Sequence, residues 1–215
     1  MAELLLNGFV TLFVIIDPLG LCPLFLALTP GASREERRRL AVQASLIAFL
    51  ILIVFALAGL AILGALGITL GAFRVAGGLF LFTIAFELVF ERRQQRKEKS
   101  AEAAVGHGHD PAEAVNVAAF PMAIPLMAGP GAIAAVILLS GSLPGALGQG
   151  ALVAVIAAVM AATLGFLLVA DRLGRLMGPT GRAVVTRLLG VILAALAVQF
   201  VADGVAELIE AAALS

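Results

Sequence analysis

The sequence predicts an all-α polytopic membrane protein whose six transmembrane helices form a 3+3 inverted-topology repeat with broken first and fourth helices. Of its 215 residues, 62% are hydrophobic and only 13% charged, with a mean hydropathy of +1.12. An ordinary soluble domain carries about a quarter charged residues. The apolar residues also form continuous runs of about 20, the length of one helical crossing. Barrel strands would instead alternate over about ten residues.

Each predicted span is rich in leucine and alanine. The six spans are residues 4–28, 40–63, 70–90, 117–139, 151–170 and 184–209. We expect the first span to be retained, because Glu3 precedes it without any basic residue, and no small-residue cleavage site follows. Cys22 is the single cysteine, which excludes an internal disulfide.

Basic residues concentrate in alternate connections between the predicted spans. They are Arg34, Arg37, Arg38 and Arg39 after span one; Arg92, Arg93, Arg96, Lys97 and Lys99 after span three; and Arg172, Arg175 and Arg182 after span five. The connections "GALGIT" and "SGSLPGALGQG" contain no lysine or arginine. Because positively charged loops stay on the cytoplasmic side, this pattern predicts a multi-pass protein of the cytoplasmic (inner) membrane with both termini outside.

The two halves of the sequence contain a weak internal repeat. "RVAGGLFL" at 74–81 resembles "RLLGVILA" at 187–194 with an offset of 113, and "DPLG" at 17–20 aligns with "GPGA" at 129–132 with an offset of 112. Three helices per half make the second half enter the membrane from the opposite face. We therefore interpret 1–90 and 117–215 as transmembrane repeats joined by a polar cytoplasmic linker, 91–116. Inverted repeats are typical of secondary transporters.

Both repeats contain helix-breaking residues inside their first helix. Asp17 follows Leu4 by 13 residues and Pro130 follows Val117 by 13, which places each break about 20 Å from its own face, near the bilayer midplane. Proline removes an amide donor and glycine permits non-helical backbone. Matched breaks are the best sequence pointer to a transporter site. Amides at a half-helix start attract a carboxylate, and carbonyls at a half-helix end accept from an ammonium.

Asp17 is an acid at the predicted midplane, where charge costs several kcal/mol and usually serves a function. It can accept from a substrate ammonium, bind a coupling proton or sodium ion, or cap the half-helix that starts at Pro18. The three roles are compatible, and the sequence leaves them open.

Four segments carry a resemblance to a known family: "FVIIDPLGLCPLFLALT", "FRVAGGLFLFTIAFEL", "FPMAIPLMAGPGAI" and "TRLLGVILAALAVQFVADGV". They resemble the MarC family of six-helix membrane proteins, which includes the neutral amino acid transporters called SnatA. The resemblance implies an inner-membrane transporter of small neutral amino acids such as glycine and alanine. The substrate region that it implies consists of Asp17, Pro18, Gly20, Pro125, Gly129, Pro130 and Gly131.

Other polar residues in or beside the spans are candidates for structural or gating roles. Arg74 and Arg187 start the third and sixth helices, where arginines commonly extend to the headgroups; Arg74 also has Asp203 and Glu207 at its predicted level. Gln199 lies deep in the sixth span, where we expect an interhelical hydrogen bond rather than a ligand contact.

The sequence predicts neither an enzyme nor a cofactor beyond a possible coupling ion. His107 and His109 lie two residues apart in a glycine-rich linker, which forms no specific metal geometry. No phosphate-binding loop or nucleophile motif is present, and topology rather than nucleic-acid binding explains the basic loops. The alternatives are a channel-like pore or exporter for other small neutral solutes, and an intramembrane enzyme or assembly factor. The oligomeric state is not predicted.

Overall fold

The computed structural model describes residues 2–29, 31–90 and 122–213, and every regular element in these ranges is a helix. In chain order, the elements are α1 (Ala2–Ile16), α2 (Pro18–Leu28), α3 (Arg34–Ala65), α4 (Leu70–Val89), a π-helix (Met122–Met127), α5 (Pro130–Ser142), α6 (Gly145–Leu168) and α7 (Ala170–Ala213). The linker 91–116, with His107 and His109, lies outside the described residues.

Five helical segments are long and apolar enough to cross a membrane. They are Glu3–Leu28, Arg34–Ala65, Leu70–Val89, Gly145–Leu168 and Ala183–Ala213. Pro130–Ser142 is also apolar but shorter; the first residues of the predicted fourth span, 117–121, lie outside the described residues. The protein is therefore a helical, polytopic membrane protein.

The connection expected between the fifth and sixth spans is helical rather than a loop. Helix α6 ends at Leu168, α7 starts at Ala170, and the only non-helical geometry inside α7 is at Gly178, with φ 58° and ψ 175°. Because glycine adopts positive φ without steric cost, the chain changes direction at one residue. The Gly-Pro dipeptide at 178–179 is the sequence signal for this bend.

Helices α3 and α4 each begin at a residue whose side chain caps the first turn. The Ser33 hydroxyl accepts from the N–H of Glu36, and the Glu36 carboxylate accepts from the N–H of Ser33, which forms a capping box. The Thr69 hydroxyl accepts from the N–H of Ala72 at the start of α4. These caps separate the long apolar runs into distinct helices.

The two halves make corresponding helix contacts. Helix α6 packs on α1 and α2, and α3 packs on α5 and the π-helix; α7 packs on α1 and α2, and α4 packs on α5. The pairs α3 with α6, α4 with α7 and α1 with α5 also pack together. When α1 with α2, and the π-helix with α5, are each taken as one broken helix, exchanging the halves converts each of these contacts into itself or into another of them. The broken helices lie at the centre, since 72% of an 18-residue apolar stretch of the first span is buried, as are eight of the 13 residues of α5.

Four glycines with positive φ fall into two pairs with offsets of 114 and 111, close to the 112 and 113 of the sequence repeat. Gly31 (φ 71°) lies just before α3 and Gly145 (φ 78°) is the first residue of α6, whereas Gly67 (φ 69°) lies just before α4 and Gly178 (φ 58°) is at the bend inside α7. Turns of the same handedness thus occur at equivalent points of the two halves.

Small residues allow α4 and α7 to pack with their backbones close together. A Cβ on Gly78 would lie 2.8 Å from the carbonyl oxygen of Ala197, and a Cβ on Gly204 would lie 2.7 Å from that of Gly71. Gly190 faces the Ala85 carbonyl in the same way, at 3.2 Å. Close approach at small residues is how membrane helices gain packing energy.

Candidate functional site

The first helix breaks at Asp17, between α1 and α2. Asp17 has left-handed backbone geometry (φ 55°, ψ 67°) and is only 3% exposed. Its Oδ1 accepts from the N–H of Gly20 at 3.0 Å, and Pro18 occupies the first helical position of α2. Aspartate is among the few residues that tolerate this backbone region. Asp17 therefore caps α2, the simplest of the three roles considered for it.

Gly20 and Cys22 complete the first turns of α2. A Cβ on Gly20 would overlap the Asp17 carboxylate, so the missing side chain leaves room for the cap. The Cys22 thiol donates to the Pro18 carbonyl at 3.3 Å and lies 3.5 Å from the Phe166 carbonyl oxygen of α6. The first break is therefore a closed, buried turn.

The second helix break lies between the π-helix and α5. The N–H of Ala128 donates to the carbonyl of Ala123 at 2.8 Å, the five-residue spacing of a π-helix. Pro125 lies within this π-helix. Gly129 is the N-cap of α5 with extended backbone (φ −71°, ψ 173°), and Pro130 follows it at the first helical position.

The two breaks lie side by side. A Cβ on Gly131 would lie 3.4 Å from Cγ2 of Ile15, which is two residues before Asp17. The same Cβ would overlap Cδ1 of Ile84 from α4. Ile15 is 2% and Ile84 8% exposed, and Gly131 is buried. The carbonyl end of α1 and the amide end of α5 are thus neighbours inside the protein.

The breaks differ in one chemical respect. In the first, the Asp17 carboxylate accepts from a backbone amide at the start of α2. At the equivalent position of the second, Gly129 has no side chain, and no side chain of the described residues caps α5. Its first-turn amides at Gly131 and Ala132 carry the positive end of the helix dipole. The second break is therefore suited to an anionic group that comes from outside the chain.

Polar side chains bind the carbonyls at the far ends of α2 and α5. Arg37 Nη2 donates to the carbonyl of Thr29, which ends α2, at 3.3 Å. Gln149 Nε2 donates to the carbonyl of Leu143, which ends α5, at 3.1 Å, and to that of Ser140 at 3.2 Å. Sequence reasoning missed Gln149; its offset of 112 from Arg37, the same as that between Pro18 and Pro130, is the signal that identifies it.

The predicted gating residues do not reach the breaks. Arg74 forms an ion pair with Glu207 of α7 and donates to the Ser142 hydroxyl at 3.2 Å, which selects Glu207 from its two predicted partners. The interhelical hydrogen bond expected of Gln199 is replaced by one along α7, because its Nε2 donates to Asp203 Oδ1 at 2.7 Å. Residues four apart share one helix face. Arg187 is exposed on the same helix.

The site contains little ionisable chemistry in the described part of the chain. Asp17 is the buried acid at the breaks, and no group of three or more histidine, cysteine or acidic residues that could hold a metal ion occurs among the described residues. Backbone amides, carbonyls and one capping carboxylate make up the polar surface that the breaks offer.

The apolar spans make this chain an integral membrane protein of the polytopic helical class, and two of its interior helices are broken at matching points. The sequence profile of the "MarC family integral membrane protein" matches residues 2–209. The chain therefore belongs to the MarC family, as the resemblance of its four segments predicts.

Named relatives cover nearly the whole chain. A "UPF0056 membrane protein" of Archaeoglobus fulgidus is 36% identical, over 93% of this chain and 91% of its own. "UPF0056 membrane protein YvbG" of Bacillus subtilis is 35% identical, over 95% of both chains. "UPF0056 inner membrane protein MarC" of Citrobacter koseri is 32% identical, over 94% of both. No solved structure matches the chain.

Proposed function

We propose that the protein is a secondary transporter of small neutral amino acids, of the glycine or alanine type, in the cytoplasmic membrane. The observation that carries the proposal is the uncapped start of α5 at Gly129, packed beside the end of α1. A substrate would bind there, between the two helix breaks.

The substrate carboxylate would bind at the start of α5, where the second half has no capping carboxylate like that of Asp17. Asp17 shows how a carboxylate caps a half-helix at this point of the fold, with Oδ1 3.0 Å from an amide nitrogen. A free amino acid can supply the same group to the amides of Gly131 and Ala132. Anions bind readily at helix starts because the amides and the helix dipole both favour negative charge.

The substrate ammonium would bind at the carbonyl end of α1. Ile15 of its last turn lies against Gly131, so the negative end of one helix dipole adjoins the positive end of another. A zwitterion matches that pair of helix ends. The close packing of small and aliphatic residues around Gly131 favours a small, neutral side chain on the substrate.

Transport would proceed by alternating access between two inverted repeats. The reciprocal helix contacts and the paired positive-φ glycines support a repeat of 1–90 and 117–215. Basic connections in alternate positions support opposite insertion of the halves, with the termini outside. Rocking of one repeat against the other around a midplane site is the usual mechanism for such architectures.

The packing at the breaks favours a carrier over a permanent pore. The place of a Cβ on Gly131 is already filled by Ile84, so a substrate could enter only when helices separate. The proposal requires no enzymatic step and no cofactor. A coupling proton or sodium ion at Asp17 is an extension of it, since an exchanger needs neither.

Counterflow in proteoliposomes tests the proposal. Purified protein would be reconstituted with or without internal unlabelled alanine, and uptake of radiolabelled alanine and glycine would be measured. A carrier gives saturable uptake that internal substrate accelerates, whereas a pore gives none of this acceleration. Gly131→Leu, which overfills the contact with Ile84, should abolish uptake, and Gly64→Leu is the matched control, because the space around Gly64 is open. Absence of saturable uptake under every ion gradient would refute the proposal.

A further inference from the structure

We propose that the protein has a binding site for a phosphate group, such as that of an anionic phospholipid headgroup, at its basic end. The site is a cavity of about 380 Å³ between the end of α2, the start of α3 and the junction of α6 with α7. It is separate from the helix breaks, and the inference does not depend on the proposed transport function.

The cavity has a large excess of positive charge. Its lining includes Arg34, Arg37, Arg38 and Arg172, against one carboxylate, that of Asp171. Arg37 Nη1 donates to both Asp171 oxygens, at 3.1 and 3.0 Å. The other three arginines take part in none of the ion pairs found among the described residues. Among the described residues, three guanidinium groups thus line one cavity with Asp171 as the single carboxylate of the lining, and that carboxylate pairs with Arg37.

The chemistry of these groups favours a phosphate ligand. Guanidinium presents a planar set of N–H donors that matches phosphate oxygens in bidentate geometry. The Arg37–Asp171 pair fixes one guanidinium in place, since Arg37 also donates to the Thr29 carbonyl and its side chain is 25% exposed. Arg34, Arg38 and Arg172 are exposed and can turn toward a common anion.

The apolar part of the lining favours a lipid as the source of the phosphate. Leu168 and Val169, at the end of α6, are 49% and 43% exposed beside Arg172. A soluble phosphate makes no use of such a wall, whereas the glycerol and upper acyl region of a lipid would cover it. Basic pockets between transmembrane helices on the cytoplasmic side commonly bind anionic headgroups.

Native mass spectrometry of the full chain in detergent tests the site. The protein would be titrated with phosphatidylglycerol, with phosphatidylcholine, whose choline offsets the phosphate charge, and with inorganic phosphate. The variant is Arg34→Gln/Arg172→Gln, with Arg38→Gln as a second, milder change. Arg39→Gln is the control, because Arg39 pairs with Glu35 on the exposed face of α3 with 78% of its side chain exposed.

We expect the double variant to raise the dissociation constant for phosphatidylglycerol about tenfold or more, since the loss of even one charge-assisted hydrogen bond accounts for about tenfold. Arg38→Gln should weaken binding less, and Arg39→Gln should leave it unchanged. If inorganic phosphate binds with the same dependence on the arginines but phosphatidylglycerol has no advantage over phosphatidylcholine, the site stands and its ligand is a soluble phosphate. Equal binding by wild type and double variant, or equal loss in Arg39→Gln, would overturn it.

Discussion

The backbone N–H of Gly20 donates to the Asp17 carboxylate at 3.0 Å, and a Cβ on Gly20 would occupy the place of that carboxylate. The two residues therefore act as one unit. Asp17 can cap α2 from a left-handed backbone position only because residue 20 has no side chain. The absence of any such unit at Gly129 makes the two breaks chemically different.

Gly20→Ala should destabilise the protein by about 1 to 2 kcal/mol, because the methyl group displaces the carboxylate and the cap is lost. Thermal unfolding in detergent would measure the change. Gly165→Ala is the control, since the space around Gly165 in α6 is open and alanine favours the helix. Equal melting temperatures for Gly20→Ala and wild type would contradict the capping unit.

Asp17→Asn should retain most of the uptake and of the thermal stability, because an amide oxygen accepts from the Gly20 amide and asparagine also tolerates left-handed backbone. Asp17→Leu should lose about 0.5 to 2 kcal/mol of stability together with uptake. A folded Asp17→Asn protein without uptake would instead assign an ionised role to Asp17, as expected for a coupling site.

Gly129→Asp should give α5 a cap of its own and exclude the substrate carboxylate. The extended backbone at Gly129 is open to any residue, and the new cap should offset part of the several kcal/mol that a charge at this depth costs, so thermal unfolding must first show that the variant is folded. The KM for alanine should rise about tenfold or more, through loss of a charge-assisted hydrogen bond.

The matched control for this variant is Gly150→Asp, which adds the same charge in the open space beside α6. Its uptake kinetics should equal those of the wild type. If Gly129→Asp transports alanine with an unchanged KM, the substrate carboxylate does not bind at the start of α5.

Gly78→Ala should destabilise the contact between α4 and α7 by about 1 to 3 kcal/mol, because the new Cβ would press on the backbone carbonyl of Ala197. Backbone atoms cannot move aside as a flexible side chain can. Gly64→Ala, in open space, is the control. An unchanged melting temperature for Gly78→Ala would mean that the helices are farther apart than described.

The ion pair of Arg74 and Glu207 should show measurable coupling. Arg74→Gln and Glu207→Gln should each lower stability, and the double variant should lower it by less than their sum, with a coupling energy of about 1 kcal/mol. Asp203→Gln is a control, because Asp203 accepts from Gln199 rather than from Arg74. Additive effects at 74 and 207 would show that the pair contributes nothing.

The helix class and both breaks could be predicted because they depend on the chain itself. In a continuous apolar run inside lipid, an α-helix is the structure that satisfies every backbone hydrogen bond. Pro18 and Pro130 interrupt such a helix because proline has no backbone N–H to donate. Small residues at 78 and 190 likewise predict close helix contact whatever the rest of the fold.

The conformations at the breaks could not be predicted, since they depend on neighbouring helices. The π-helix at Met122–Met127 differs from an α-helix only in its hydrogen-bond spacing, and its composition does not distinguish the two. The partner of Arg37 depends on which helix faces which. Gln199 instead bonds to Asp203 along its own helix, where the sequence predicts an interhelical contact.

The most direct test of the central claim is counterflow of radiolabelled alanine in proteoliposomes loaded with unlabelled alanine, alaninol or propionate. Alaninol lacks the carboxylate and propionate lacks the ammonium. If an amino acid bridges the amide end of α5 and the carbonyl end of α1, alanine inside should accelerate uptake and neither analogue should. Acceleration by alaninol equal to that by alanine, or no uptake with any of the three, would contradict the account.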